Sequence, residues 1–90
     1  MQAEKKKIEQ LLKTARGQMD GLLKMVEENR YCVDICTQLS AAQAVLKKAN
    51  RLILQAHMES CVKEAFTSGD AQQQEEKMKE IMLLMEKMAN

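Results

Sequence analysis

An all-α fold with three helices is predicted by the composition, by the hydrophobic periodicity and by one strong loop signal. The 90 residues include no proline, three glycines and only two aromatic residues, a mixture that favours helices over strands. A chain of this length forms one small domain, which we place over 1–90. No apolar run approaches the roughly 20 residues of a membrane span. No signal-peptide pattern opens the chain either, so we expect a cytoplasmic protein.

Apolar residues at three- and four-residue steps predict the first helix over about 4–28 and a very long central helix over about 31–66. The Asn29-Arg30 pair between them is typical of a tight connection. Some 35 residues at about 1.5 Å each make a rod of about 50 Å, whereas a compact domain of this size has a radius of gyration near 12 Å. The rod must overhang its own subunit, and its apolar stripe needs cover. We therefore expect at least a homodimer with helices packed as an antiparallel bundle.

The third helix is predicted over about 71–88, after the loop signal at 67–70. Ser68 or Asp70 can cap its first turn, because both side chains accept hydrogen bonds from free backbone N–H groups. Its apolar stripe is rich in methionine, which fills gaps in cores, and we expect that stripe to be core rather than a copper-binding surface. The methionines of the stripe are Met78, Met82, Met85 and Met88.

The charge distribution leaves the class of partner open. The formal net charge is +1, whereas a nucleic-acid-binding domain is usually flagged by a strongly basic total. Lysine and arginine nevertheless gather in the first half of the chain and acidic residues gather towards its end. Three cysteines in a reducing compartment are more often ligands or reactive groups than bridges, although a buried cysteine is also a common small apolar residue.

Two pairs of potential metal donors share one spacing on the central helix. His57 and Cys61 are four residues apart and lie on one helix face, and Cys32 and Cys36 repeat this arrangement near the start of the helix. Cys32 and Cys61 are about 43 Å apart along a straight helix, so one chain cannot bring them together. In an antiparallel pair of these helices with a two-fold axis near residues 46 and 47, Cys32 faces Cys61 and Cys36 faces His57. The symmetry produces two equivalent sites.

The donor set leaves several chemistries open. Two thiolates and an imidazole suit low-coordinate Cu(I), whereas the addition of Cys36 gives a four-ligand set that is better matched to zinc. Without a metal, facing cysteines can form an interchain disulfide or carry a persulfide. A metal-storage or chaperone bundle that never touches DNA is a further alternative. We do not expect an enzyme, because nothing supplies a base-activated nucleophile beside a substrate pocket.

From about residue 12 to 85 the sequence resembles the CsoR-type repressors, the copper-sensitive operon repressor family. The resemblance implies a three-helix protomer, an antiparallel dimer and a homotetramer made of two dimers. It also implies a repressor that binds operator DNA and leaves it when Cu(I) binds. The segments that carry the resemblance are Lys13-Thr14-Ala15-Arg16-Gly17-Gln18, Tyr31-Cys32-Val33-Asp34-Ile35, Gln38-Leu39-Ser40-Ala41, Ala49-Asn50-Arg51 and His57-x-x-x-Cys61.

Carried over residue by residue, the resemblance makes Cys32, His57 and Cys61 the Cu(I) ligands, with the cysteine of the Tyr-Cys pair meeting the histidine and cysteine of the neighbouring subunit. Tyr31 becomes a residue that supports the ligands and links their geometry to helix position. Basic residues on a broad face would contact DNA phosphates and give a steep salt dependence. These residues are Lys13, Arg16, Lys48 and Arg51.

Two positions depart from the family pattern. The resembled copper sensors have a glutamate near the site in the third helix, but ungapped counting reaches Lys77, with Glu76 and Glu80 as the nearest substitutes. Cys36 stands where an aliphatic residue or methionine is usual, so it is a spectator, a fourth ligand or a thiol for sulfur chemistry. The alternatives to a copper sensor are a persulfide-sensing repressor that uses Cys32 and Cys61, and a zinc or nickel sensor with Cys36 as fourth ligand. A copper chaperone is a candidate metal donor.

Overall fold

Three helices joined by two short connections make up the chain: α1 (Lys5–Glu27), α2 (Cys32–Ser68) and α3 (Ala71–Met88). The computed structural model describes residues 1 and 3–89, and the side chains at positions 66 and 68 lie outside that description. No strand occurs in the described residues. The helix ends differ from the predicted ones by at most two residues, which is the usual ambiguity of helix ends. The all-α prediction with one very long central helix is confirmed.

The turn between α1 and α2 is closed by Asn29, whose φ of 53° is left-handed. The backbone N–H of Arg30 donates to the carbonyl of Met25 at 3.0 Å, and the N–H of Asn29 donates to the carbonyl of Val26 at 3.1 Å. This pair of bonds is the Schellman arrangement, which satisfies carbonyls at a helix end and needs a left-handed residue. Asparagine tolerates that conformation better than most residues. The predicted tight connection is confirmed.

The turn between α2 and α3 uses a different pair of residues. Gly69 has a φ of 68° and ends α2, in a conformation that glycine adopts without steric cost. The Asp70 carboxylate accepts hydrogen bonds from the backbone N–H groups of Gln72 at 3.0 Å and Gln73 at 3.4 Å. Asp70 is therefore the N-cap of α3, while Ser68 is the last residue of α2 and its side chain lies outside the described part.

Both outer helices pack on α2, and α3 runs antiparallel to it. The Gln74 side chain donates to the carbonyl of Ala65 at 3.2 Å, and further along α3 Glu80 contacts His57 at 3.4 Å. Residue numbers thus rise along α3 as they fall along α2. In the described part of the chain α1 and α3 each contact α2 and not each other. The central helix is therefore the only element that joins the two ends of the protein.

The protein is one layer of helices thick. Its principal extents are 59 × 26 × 13 Å and its radius of gyration is 17.9 Å. A single helix with its side chains has a diameter of about 10–12 Å, and a compact domain of this length would have a radius of gyration of about 12 Å. Domains normally bury their apolar faces between at least two layers. The described part of the chain provides no second layer of its own.

The core of the single chain is accordingly small, and in the described residues it consists of four alanines and four larger residues. Its buried members are Ile8, Ala15, Leu22, Ala42, Ala49, Cys61, Ala65 and Ile81. The expectation that the methionine stripe of α3 is core is wrong for the single chain, because α3 packs on α2 through Ile81 and leaves its other flank uncovered. Met82 is 64% exposed, and Met78 and Met85 are exposed as well. None of the helices described here is long and apolar enough to cross a membrane.

Replacing Asp70 with alanine should lower the free energy of unfolding by about 1 kcal/mol, because two backbone N–H groups of α3 lose their acceptor. Urea unfolding followed by circular dichroism at one fixed protein concentration measures the change. Asp70→Asn keeps an acceptor at the same place and should retain most of the stability. An alanine variant as stable as the wild type would show that the cap contributes nothing.

Candidate metal centre

The pair His57 and Cys61 forms the centre of the candidate site. The two residues lie one turn apart on the same face of α2, and the Cys61 Sγ is 3.3 Å from the His57 Nε2. Cys61 is 7% exposed, whereas the His57 side chain is 40% exposed. A soft thiolate donor and an imidazole donor therefore meet at the boundary between the interior and the surface. An ion held by this pair still has coordination positions open to another group.

Glu80 of α3 lies between His57 and Lys77. One carboxylate oxygen is 3.4 Å from the His57 Nε2 and the other is 3.4 Å from the Lys77 Nζ. The nearby charge of Lys77 and the hydrogen bond from His57 hold the pKa of the Glu80 carboxyl below its ordinary value. Glu80 in turn raises the pKa of Lys77, with a smaller contribution from Cys61. The carboxylate therefore stays ionised at neutral pH and is able to accept a hydrogen bond from the imidazole.

The Glu80 carboxylate and the Cys61 Sγ both lie beside the same ring nitrogen of His57, Nε2, at 3.4 Å and 3.3 Å. When Nε2 carries the proton it donates to one of these two groups, and Nδ1 is then the ring nitrogen that is able to bind a metal ion. A carboxylate that accepts the other ring proton is the usual support of a metal-binding histidine, because it fixes the tautomer and the ring orientation. The site thus joins a potential ligand on α2 to a charged pair on α3.

The structure selects Glu80 over Glu76 as the glutamate beside the site. Because α2 and α3 form a hairpin around Gly69 and Asp70, residues at similar distances from that turn face each other. His57 lies twelve residues before Gly69 and Glu80 lies ten residues after Asp70, whereas Glu76 is only six residues after it. Glu76 is exposed and has no contact with His57 in the described part. Counting residues from the turn is the sequence signal that finds Glu80.

The remaining predicted site residues lie at the other end of α2. Tyr31, Cys32 and Cys36 are all exposed, next to the turn that follows α1. Cys32 is about 43 Å from Cys61 along the helix, as expected from its length. Among the described residues no three His, Cys, Asp or Glu side chains form a group that could hold a metal ion. One chain therefore does not bring the predicted donors together.

The two donor pairs nevertheless occupy one face of α2. A spacing of 25 residues is close to seven full turns, so Cys32, Cys36, His57 and Cys61 fall within about 60° of the helix circumference. Residues on the same face between the two pairs are exposed, namely Leu39, Gln43, Leu46 and Asn50. The donors therefore lie at the two ends of one strip of the helix, which we call the α2 face; this strip is exposed from Cys32 to Asn50, whereas Cys61 at its other end is buried.

An open groove follows the middle of the α2 face. It has a volume of about 730 Å³, and it lies where neither α1 nor α3 covers the central helix completely. Leu46 and Lys47 lie in its lining, at the midpoint between the two donor pairs. The other α2 residues of the lining are on both sides of that midpoint, with Gln43 before it and Asn50 after it.

The four cations predicted to contact DNA are all exposed. They form two pairs, each with a three-residue spacing on one helix, so the members of a pair lie close on the helix surface. Within the described residues none of the four forms an ion pair with a carboxylate. The pairs are Lys13 with Arg16 on α1 and Lys48 with Arg51 on α2.

Comparison with known proteins places the chain among metal-responsive regulators. The sequence matches the metal-sensitive transcriptional repressor family over residues 4–87. It is 49% identical over 61 residues to the copper-sensing transcriptional repressor CsoR of Mycobacterium ulcerans, covering 68% of this chain and 52% of that protein. It is 46% identical over 70 residues to CsoR of Bacillus subtilis, covering 78% of this chain and 69% of that protein. These relatives are transcriptional regulators, in agreement with the expectation that the chain is not an enzyme.

Two solved structures share the three-helix architecture. The nickel-responsive transcriptional regulator InrS has a TM-score of 0.83 at 28% identity, with 98% of this chain and 96% of that chain covered. The copper-sensing repressor CsoR with Cu(I) from Geobacillus thermodenitrificans has a TM-score of 0.80 at 36% identity, with 100% and 94% covered. The chain spans about half the length of the mycobacterial relatives that it matches. The family match over nearly the whole chain, together with this shared fold, shows that the chain belongs to the metal-sensitive transcriptional repressor family.

Proposed function

We propose that the chain is a single-domain, copper(I)-responsive repressor that binds operator DNA without metal and leaves it when Cu(I) binds. The ligands are His57 and Cys61 of one subunit and Cys32 of the partner subunit. The observation that carries the proposal is the buried Cys61 thiol in contact with the His57 imidazole, at one end of a helix face whose other end carries Cys32. Two thiolates and one imidazole suit low-coordinate Cu(I). The copper-sensing relatives, and the similar structure that contains Cu(I), support copper as the ion.

The partner that completes the site is a second copy of the chain. The one-layer shape and the groove over the middle of α2 leave room for another long helix. An α2 that lies antiparallel in this groove, with the two-fold axis beside Leu46 and Lys47, sets Cys32 of each subunit opposite Cys61 of the other. The symmetry makes the two sites equivalent. The same contact covers Leu39 and Leu46, which are exposed in one chain.

A second interface is available on α3. Four large apolar side chains of this helix are exposed, and flexible methionines adapt well to a packed surface. Exposed apolar groups in this number are typical of an interaction surface. They support the pairing of two dimers into a homotetramer. The residues are Met78, Met82, Leu83 and Met85.

Operator DNA is held in this proposal by phosphate contacts from the exposed cations of α1 and α2. Lys13, Arg16, Lys48 and Arg51 are free of carboxylate partners in the described part, so their charge is available to an anionic backbone. The described residues contain no short helix-turn-helix unit. The affinity for DNA that comes from many separate lysine and arginine contacts is strongly salt dependent, because each phosphate contact releases a counterion. The relative positions of these four cations in the assembly depend on how the subunits are arranged.

Metal binding is coupled to this arrangement through His57 and Glu80. A metal bond to His57 fixes its ring, and the ring is held by the Glu80 carboxylate, which in turn is held by Lys77. Cu(I) thereby ties α2 of one subunit, α3 of the same subunit and the Tyr31-Cys32 end of the partner into one unit. A ligand shifts a conformational equilibrium only by its different affinity for the two states. The His57–Glu80 contact is the place where that difference arises.

A repressor that senses persulfides would need only Cys32 and Cys61. The contact of the Cys61 thiol with an imidazole, which is itself supported by a carboxylate, favours metal binding over that alternative. A cytoplasmic location and a copper chaperone as metal donor go with the copper proposal and stay predictions.

Subunit complementation tests the shared site. Cys32→Ala and Cys61→Ala proteins should each bind no Cu(I) tightly, whereas a mixed dimer of the two keeps one intact site. After random reassortment, tight Cu(I) binding should return to about a quarter of the wild-type stoichiometry. Competition with a chromophoric Cu(I) chelator measures the recovered sites.

The matched control mixes Cys61→Ala with His57→Ala. These two changes damage the same half of the site, so no combination of subunits restores it. Equal behaviour of the two mixtures would overturn the intersubunit arrangement.

Replacing Glu80 with alanine should weaken the coupling between metal and DNA while Cu(I) still binds. The imidazole loses its carboxylate support but the three donors remain. Fluorescence anisotropy with the promoter DNA of its own gene should show that apo Glu80→Ala binds as well as wild type. Cu(I) should then weaken DNA binding much less than in the wild type. Glu76→Ala removes the same charge from the same helix away from His57 and should respond normally. A normal copper response in Glu80→Ala would exclude this coupling.

Alanine at Arg51 should weaken DNA binding and reduce the slope of log affinity against log salt concentration by about 0.9 for each phosphate that the variant no longer neutralises. The weakening should be similar for specific and non-specific DNA, since phosphate contacts carry no sequence information. Lys79→Ala is the control, because Lys79 lies on α3 and already pairs with Glu75 at 3.6 Å. An unchanged salt slope for Arg51→Ala would remove this residue from the DNA interface.

A further inference from the structure

We infer that Cys36 is a fourth donor of the same intersubunit site, and that the site therefore also binds divalent thiophilic ions of the zinc class with a Cys₃His set. This inference rests on the antiparallel pairing under the proposed function and adds a ligand and an ion class to it. Its basis is the juxtaposition of two donor pairs with the same spacing on one face of α2.

The first step is the position of Cys36 on the helix. It lies one turn after Cys32, and it is exposed and unbonded in the described part of the chain. At about 100° per residue, its direction differs from that of Cys61 by only about 20°. A buried apolar role within its own chain is excluded by its exposure, so Cys36 belongs to the α2 face that the second subunit covers.

The second step is the register of the paired helices. Any antiparallel pairing that sets Cys32 opposite Cys61 also sets Cys36 opposite His57, because each pair is separated by four residues. The Cys61 Sγ and the His57 Nε2 are already 3.3 Å apart in one subunit. Two cysteines one turn apart on the facing helix then present two further thiols to the same small volume. Four donors meet from two helices.

The third step is the chemistry of the ion. Three thiolates and one imidazole are a common tetrahedral site for Zn²⁺. Cu(I) prefers fewer, softer ligands and is satisfied by Cys32, His57 and Cys61. Cys36 thus separates the two ions: it is required for tight Zn²⁺ binding and is dispensable for Cu(I). Each thiol gives up its proton when it binds, so Cys36 adds one released proton for each Zn²⁺.

The test uses reduced, metal-free full-length protein and Co²⁺ as a spectroscopic probe of the Zn²⁺ site. Wild type should show the strong visible bands of tetrahedral Co²⁺ and intense sulfur-to-cobalt charge transfer, both lost when Zn²⁺ is added. Cys36→Ala should lose much of both signals, bind Zn²⁺ at least about 100-fold more weakly, and release one proton fewer per ion. Its Cu(I) affinity should stay within about threefold of wild type.

Two control variants separate coordination from a general effect on the interface. Gln43→Ala changes another exposed residue of the α2 face and should leave the cobalt spectrum unchanged. Cys36→His replaces one donor with another, so it should restore tetrahedral bands with weaker charge transfer. If Cys36→Ala and wild type give the same cobalt spectrum, proton release and zinc affinity, the fourth donor is excluded and the copper site is unaffected. If wild type gives the four-donor spectrum but does not bind Cu(I) tightly, the copper proposal fails and the four-donor site remains.

Discussion

The length of α2 is the constraint on which the rest of the structure depends. A helix of 37 residues runs through the whole 59 Å of the molecule, and the chain has too few other residues to cover it on all sides. The two outer helices each pack on part of it and never on each other. The result is a single layer in which half of the buried core residues are alanines. Such a layer is stable only when another layer removes its apolar surface from water.

The same constraint gives the site its form. Because α2 separates Cys32 from Cys61 by about 43 Å, the proposed donor set requires two chains. In the proposed dimer the exposed part of the α2 face and the donors belong to one interface, so association and metal binding are proposed to occur at the same contact. In a repressor this is useful, since an ion bound between subunits favours one arrangement of the subunits over another. Under the proposed function, the affinity for DNA depends on where that arrangement places the exposed cations.

The contacts around His57 connect two helices of one subunit. One carboxylate oxygen of Glu80 contacts the His57 imidazole and the other contacts the Lys77 ammonium. Glu80 lies on α3, whereas His57 lies on α2. The ion pairs of Glu80 are exposed and add little to stability on their own. Their consequence is geometric, because they connect the ring of the proposed metal ligand to α3. Ungapped counting places Lys77 where the resembled copper sensors have a glutamate near the site. In this fold the glutamate that contacts His57 is Glu80, three residues later.

The sequence by itself determined the three helices, their ends to within two residues and the placement of two donor pairs on one helix face, and it left Ser68 and Asp70 as alternative caps of α3. These features depend on local periodicity and on turn chemistry, which act between residues a few positions apart. Only the tertiary structure decided that Glu80 and not Glu76 meets His57, and that Met78, Met82 and Met85 are uncovered in one chain. The choice of glutamate depends on the tight turn at Gly69 and Asp70, which sets the register of α3 on α2. The exposure of the methionines depends on which side of α3 meets α2, and periodicity alone cannot distinguish a face covered by its own chain from one that awaits another subunit.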